Sequence, residues 1–143
     1  MLFKRVSRAA AEQVFIVVQN VCGSTITAGY ACVFDCGASV NGVRVTKPET
    51  TDMQAFAGVA DADIADSAYG LVQVYGYRSS VYIYASTGSS VTGDNLVVVG
   101  DQWGLTPATS LGTSKAFGFL CEAITASTSS QYNTTAKAFI RAL

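Results

Sequence analysis

Residues 69–86 read YGLVQVYGYRSSVYIYAS, a stretch in which apolar and polar side chains alternate with the period of a β-strand. Ser79 and Ser80 interrupt the alternation, which predicts a hairpin with its turn at these two residues. The turn would oppose four tyrosines in two pairs, Tyr77 with Tyr82 and Tyr75 with Tyr84. The opposite face is predicted to lie in the core, and it carries Val72, Val74, Gly76, Ile83 and Ala85.

The rest of the chain shows a similar pattern of short apolar runs separated by turn residues. Short runs of Val, Ile, Tyr and Phe alternate with Gly, Ser, Thr and Asn clusters about every ten residues, which predicts an all-β sandwich or barrel. Predicted strands are Val14–Val21, Gly29–Asp35, Val43–Lys47, Ala55–Ala60, Tyr69–Arg78, Val81–Ser86, Leu96–Val99, Phe117–Thr125 and Ala136–Leu143. Asn41–Gly42 predicts a two-residue hairpin turn, and Ser7–Gln13 predicts one or two helical turns.

A small theme recurs three times along the chain. Residues 24–29, 63–70 and 90–96 each place a β-branched side chain a few positions before a glycine. Because glycine accepts positive φ, these segments are predicted to be corners between strands.

Composition points to a protein whose surface is partly covered. Only 13% of the residues are charged, against roughly 25% in a typical soluble chain. A folded chain of this mass exposes about 7,000 Å², so its nineteen charged side chains are sparse. The net charge of −1 argues against nucleic acid as a partner.

Histidine and the common catalytic motifs are missing from the sequence. There is no histidine, no serine three residues before a lysine, and no glycine-rich phosphate-binding string. The four cysteines lack metal-ligand spacing and are expected to be free thiols, with a Cys22–Cys32 bridge as the alternative. Asp61, Asp63 and Asp66 fit solvated turn carboxylates, with a cation site as the alternative. We therefore expect no enzyme, no catalytic residue, no cofactor and no metal.

Residues 1–13 form a basic arm, with three basic residues against one acidic residue. The arm is either a solvated tail or a segment that orders on a partner. In the second case the gripping residues are Leu2, Phe3, Lys4, Arg5 and Arg8. The apolar run Val14–Val18 is too short for a signal peptide, and no run approaches the about twenty apolar residues of a membrane helix. We expect synthesis in the cytoplasm and no membrane partner.

Two groups of aromatic residues are candidates for contact with a partner. Tyr75, Tyr77, Tyr82 and Tyr84 could form a subunit interface, a packing layer or a sugar-stacking platform. Trp103, in the loop 100–107, could be an interface hot spot or a lid over one end of the barrel.

Three strings carry a resemblance to a known family: CGSTITAGY at 22–30, FAGVADADIA at 56–65 and YGLVQVYG at 69–76. They resemble small head decoration, or cement, proteins of tailed bacteriophages, and the similarity runs from about Phe15 to Leu143. The resemblance implies a small single-domain barrel or β-tulip-like sandwich over 14–143, with the extended arm over 1–13. It also implies a homotrimer on the virion that binds the major capsid protein of an expanded shell and braces neighbouring capsomers.

On this hypothesis the arm grips the shell, and the four tyrosines with Trp103 face a neighbouring subunit. Deletion of Met1–Gln13 should then abolish shell binding and leave the fold intact. The alternative is a carbohydrate-binding module displayed on a virion or a cell, which would recognise a glycan through the tyrosines and Trp103.

Overall fold

The computed structural model is all-β, as predicted, and describes residues 2–4, 12–37, 42–85, 89–108, 115–125 and 132–142. Its strands are β1 Leu2–Lys4, β2 Gln13–Asn20, β3 Ala31–Phe34, β4 Arg44–Thr46, β5 Phe56–Ala60, β6 Tyr69–Ala85, β7 Asn95–Val98, β8 Leu105–Ala108, β9 Gly118–Leu120 and β10 Tyr132–Arg141. Strands β1 and β8 were not predicted. Most of the helical turns predicted over Ser7–Gln13 lie outside the described ranges, and Gln13 belongs to β2.

Strand β6 runs unbroken through Ser79 and Ser80, so the predicted hairpin is wrong. The pairing of β6 with β10 shifts by one residue at this point. Two residues of β6, Ser79 and Ser80, stand opposite one residue of β10, Lys137. The two serines therefore form a β-bulge within a continuous strand.

The bulge keeps the four tyrosines of β6 on one face. One extra residue reverses the alternation, so odd positions before the bulge share a face with even positions after it. The face predicted to lie in the core is buried at Val72, Val74, Gly76, Ile83 and Ala85. The opposite face is partly exposed at Tyr75, Tyr77, Tyr82 and Tyr84. The predicted faces are confirmed, although the predicted pairing of the tyrosines is wrong.

The strands close into two five-membered rings that share β6. In the first ring, the order β2–β4–β3–β5–β6 is closed by the pairing of β6 with β2. In the second ring, the order β6–β10–β9–β7–β8 is closed by the pairing of β8 with β6. We call these rings the N-terminal barrel and the C-terminal barrel. Strand β1 lies outside both rings, antiparallel to β2.

The two barrels repeat one topology. Strands β2, β3, β4, β5 and the first part of β6 correspond to the second part of β6, β7, β8, β9 and β10. Each pairing in one ring has a counterpart of the same direction in the other, including one parallel pair per ring. Equivalent cross-strand pairs include Val59–Gln73 with Phe119–Phe139, and Ile26–Ile64 with Ser90–Ile124.

A glycine marks the same close approach in both barrels. A Cβ at Gly58 would collide with the carbonyl oxygen of Gln73, and one at Gly118 would collide with that of Phe139. Gly58 also has a φ of 140°, which favours glycine. Two predicted corners are confirmed by positive φ at equivalent positions, Gly29 and Gly93.

Each barrel encloses its own apolar cluster. The first is formed by Val18, Ile26, Cys32, Val45, Ala57, Ala60, Ile64 and Val72. The second includes Val81, Ile83, Leu96, Val98, Leu105, Leu120, Ile124, Ala136, Ala138 and Ile140. Outer-face residues of the N-terminal barrel (Ala31, Val33, Phe56 and Val59) join this second cluster, so the barrels pack against each other.

Strands β3 and β4 are antiparallel neighbours, as a hairpin near Asn41–Gly42 requires. Their register sets Phe34 opposite Val45. A two-residue turn at Asn41–Gly42 would set a different register. Asn41 itself lies outside the described ranges.

Candidate interaction surface

An aromatic stack lies where the two barrels meet. The Tyr30 ring is 4.9 Å from the Tyr82 ring and 5.1 Å from the Trp103 ring. The Lys47 ammonium lies 6.0 Å from the centre of the Trp103 ring. The Ala31 N–H donates to the Trp103 carbonyl at 2.8 Å. Trp103 therefore joins the barrels within one chain, and its predicted role at a subunit interface stays a prediction.

Tyr82 and Tyr84 both pack against residues of the same chain near this stack. Burial and the nearby Tyr30 raise the pKa of the Tyr82 hydroxyl. Tyr84 is half-buried beside Gly104, where a Cβ would collide with the backbone of Tyr84. The second half of the tyrosine face is thus largely occupied by contacts within the chain.

Tyr75 and Tyr77 belong to a different group, on the outer face of the C-terminal barrel. Tyr77 lies opposite Phe139, and Phe139 lies opposite Phe119. The Phe119 and Phe139 rings stack at 5.2 Å, and Tyr75 meets Phe139 edge-on at 5.1 Å. We call these four side chains the aromatic row. Tyr75 is 38% exposed, and the other three are half-buried.

The N-terminal barrel has an equivalent row, which is buried. Phe15, Gln73 and Val59 take the places of Tyr77, Phe139 and Phe119, and they are 4%, 0% and 0% exposed. The buried Gln73 amide finds a hydrogen-bond partner further along β6, since its Nε2 donates to the Gly76 carbonyl at 3.0 Å. The same face is therefore fully buried in the N-terminal barrel and partly exposed in the C-terminal barrel.

Arg78 helps to cover the buried row. Its Nη1 lies 3.0 Å from Asp61 Oδ1, and its Nη2 donates to the Asp61 carbonyl at 3.0 Å. Nη1 also donates to Gln73 Oε1 at 3.4 Å. Arg78 therefore clamps the start of the C-terminal barrel onto the end of β5.

The three aspartates proposed as turn carboxylates all have protein partners. Asp61 pairs with Arg78, and Asp63 Oδ1 accepts the Ala28 N–H at 2.8 Å. Asp66 Oδ1 accepts the Gly23 N–H at 2.9 Å. Across the part of the chain that the structure describes, no group of three potential metal ligands occurs. These bonds favour the structural interpretation of the aspartates.

The four cysteines are free thiols, so the alternative Cys22–Cys32 bridge is not formed. Burial raises the pKa of the Cys32 thiol to about 12. A protonated, buried thiol is a packing residue and a poor nucleophile.

The first residues of the arm pair with the chain itself. Leu2–Lys4 form β1, with Leu2 opposite Phe15 and Lys4 opposite Gln13. Arg5 and Arg8, two further predicted shell contacts, lie outside the described residues. The proposed grip of the arm on a shell stays a prediction.

Sequence reasoning missed Phe119 and Phe139, the centre of the aromatic row. One signal was present in the predicted strand Ala136–Leu143. Phe139 alternates in phase with Lys137 and Arg141, which places it on the outward face.

No protein-family model and no curated protein matches the chain. Among solved structures, the chain is similar to the N base of the head fiber gp8.5 of bacteriophage phi29. The match has a TM-score of 0.52 and 15% sequence identity, and it covers 91% of this chain and 95% of that one. The two chains share a fold over nearly their whole lengths. Within the described residues, no helix is long and apolar enough to cross a membrane.

Proposed function

We propose that the chain is a structural protein of a tailed-phage virion, which binds the outside of an expanded capsid and braces neighbouring capsomers. The observation that carries the proposal is the fold, which extends over almost the whole length of a phage head fiber base. The partly exposed aromatic row and the low charge density support it, because both are typical of a subunit that is covered on several sides.

The proposed activity is binding alone. A ligand that binds only the expanded lattice stabilises it by RT ln(1 + [L]/Kd) at each site. Repetition over a shell lets many modest contacts act together. Such a role needs no catalytic residue and no cofactor, and we propose none.

The test is co-sedimentation of the purified chain with emptied, expanded heads and with unexpanded heads of the phage whose genome encodes it. We expect binding to the expanded heads and a rise in their resistance to heat. Equal binding to both kinds of head would contradict lattice-specific bracing. Failure to bind either would overturn the proposal.

The contribution of the arm needs a deletion that spares β2. Gln13 Nε2 donates to the Tyr77 carbonyl at 2.7 Å, so the deletion should cover residues 1–11. We expect the truncated chain to fold and to lose binding to the heads. A matched variant with Lys4→Gln, Arg5→Gln and Arg8→Gln tests the charges alone. Undiminished binding by the truncated chain would refute a role for the arm.

The carbohydrate-binding alternative has less support. Sugar stacking needs an open ring face, whereas Tyr30, Tyr82 and Trp103 pack on one another. A glycan array distinguishes the two functions: specific binding that is lost in Tyr82→Ala would favour the alternative.

A further inference from the structure

We draw no further inference here: the strongest candidate, the exposed apolar patch formed by Val17, Tyr69 and Leu71 on the outer face of β2 and β6 in the N-terminal barrel, carries nothing, because nothing in the described part of the structure shows what covers it.

Discussion

The two barrels share every strand pairing but distribute their polar and apolar residues differently. The N-terminal barrel buries Asn20 inside and carries Val17 and Tyr69 outside. The C-terminal barrel has Ile83 at the position equivalent to Asn20, and its exposed residues include Lys137. The glycine close approaches and corners are common to both barrels and accompany their shared topology. The side chains differ, and they decide which faces of each barrel are buried.

The largest expected effect tests whether the two glycines are equivalent. Gly58→Ala should cost about 3–5 kcal/mol, because it adds both a collision with the Gln73 carbonyl and strain at positive φ. Gly118→Ala adds only the collision with the Phe139 carbonyl and should cost about 1–3 kcal/mol. Urea unfolding followed by the fluorescence of Trp103 measures both. Equal losses would contradict the φ argument.

The second prediction concerns the polar residue inside the N-terminal barrel. Asn20 Nδ2 donates to the Ser24 and Ile64 carbonyls, at 2.7 and 2.8 Å, and its Oδ1 accepts the Cys22 N–H at 2.9 Å. Asn20→Ile makes the barrels alike but leaves buried groups unpaired, so it should destabilise the protein by about 2–4 kcal/mol.

The control for Asn20→Ile is a conservative change at Ile83, the equivalent position in the C-terminal barrel. Ile83→Val should cost only about 0.5–1.5 kcal/mol. Unchanged stability in Asn20→Ile would mean that the two interiors are interchangeable at this position.

The third prediction compares two ion pairs. Arg78→Leu should cost about 1–2 kcal/mol, because the Arg78 side chain is only 13% exposed and contacts both Asp61 and Gln73. Lys137→Met is the control: its pair with Glu122 is exposed, and its loss should not change the urea midpoint measurably. Similar effects would remove the distinction between a junction contact and a surface pair.

The smallest expected effect is a pH dependence. Hydrogen bonds from Lys137 lower the pKa of Glu122 from its ordinary value of 4.5. The first of these is the bond from the Lys137 backbone N–H to Glu122 Oε1 at 2.7 Å, which Lys137→Met leaves in place. This bond to the ionised carboxylate adds stability above pH 4.5, which is lost as the pH falls through the lowered pKa. The stability difference between the wild type and Glu122→Gln should shrink from pH 7 to pH 3. A constant difference would exclude this linkage.

Much of the fold was predictable because alternation and glycine corners act locally. The buried face of β6 and the corners at Gly29 and Gly93 follow from side-chain period and positive φ. Ser79–Ser80 was misassigned because a turn and a bulge both interrupt a strand with small polar residues. A turn and a bulge can be distinguished only by the strand that pairs with these serines, here β10 at Lys137. That strand lies far away in the sequence, so the pairing is invisible to local patterns.

The repeated barrel topology and the aromatic row could not be predicted from the sequence, for a related reason. Equivalent positions keep few identical residues, such as Gly58 with Gly118 and Ile64 with Ile124. Phe119 could be assigned to either face until its partner was known. The row exists only because β9, β10 and β6 bring their residues into line.

Strand β6 has a mechanical consequence. Its 17 residues span at most about 56 Å and belong to both rings, so no hinge separates the barrels. A displacement of one barrel must shear the hydrogen-bond ladders of the other instead of bending a linker. The separation of the two barrels is therefore set by the length of β6.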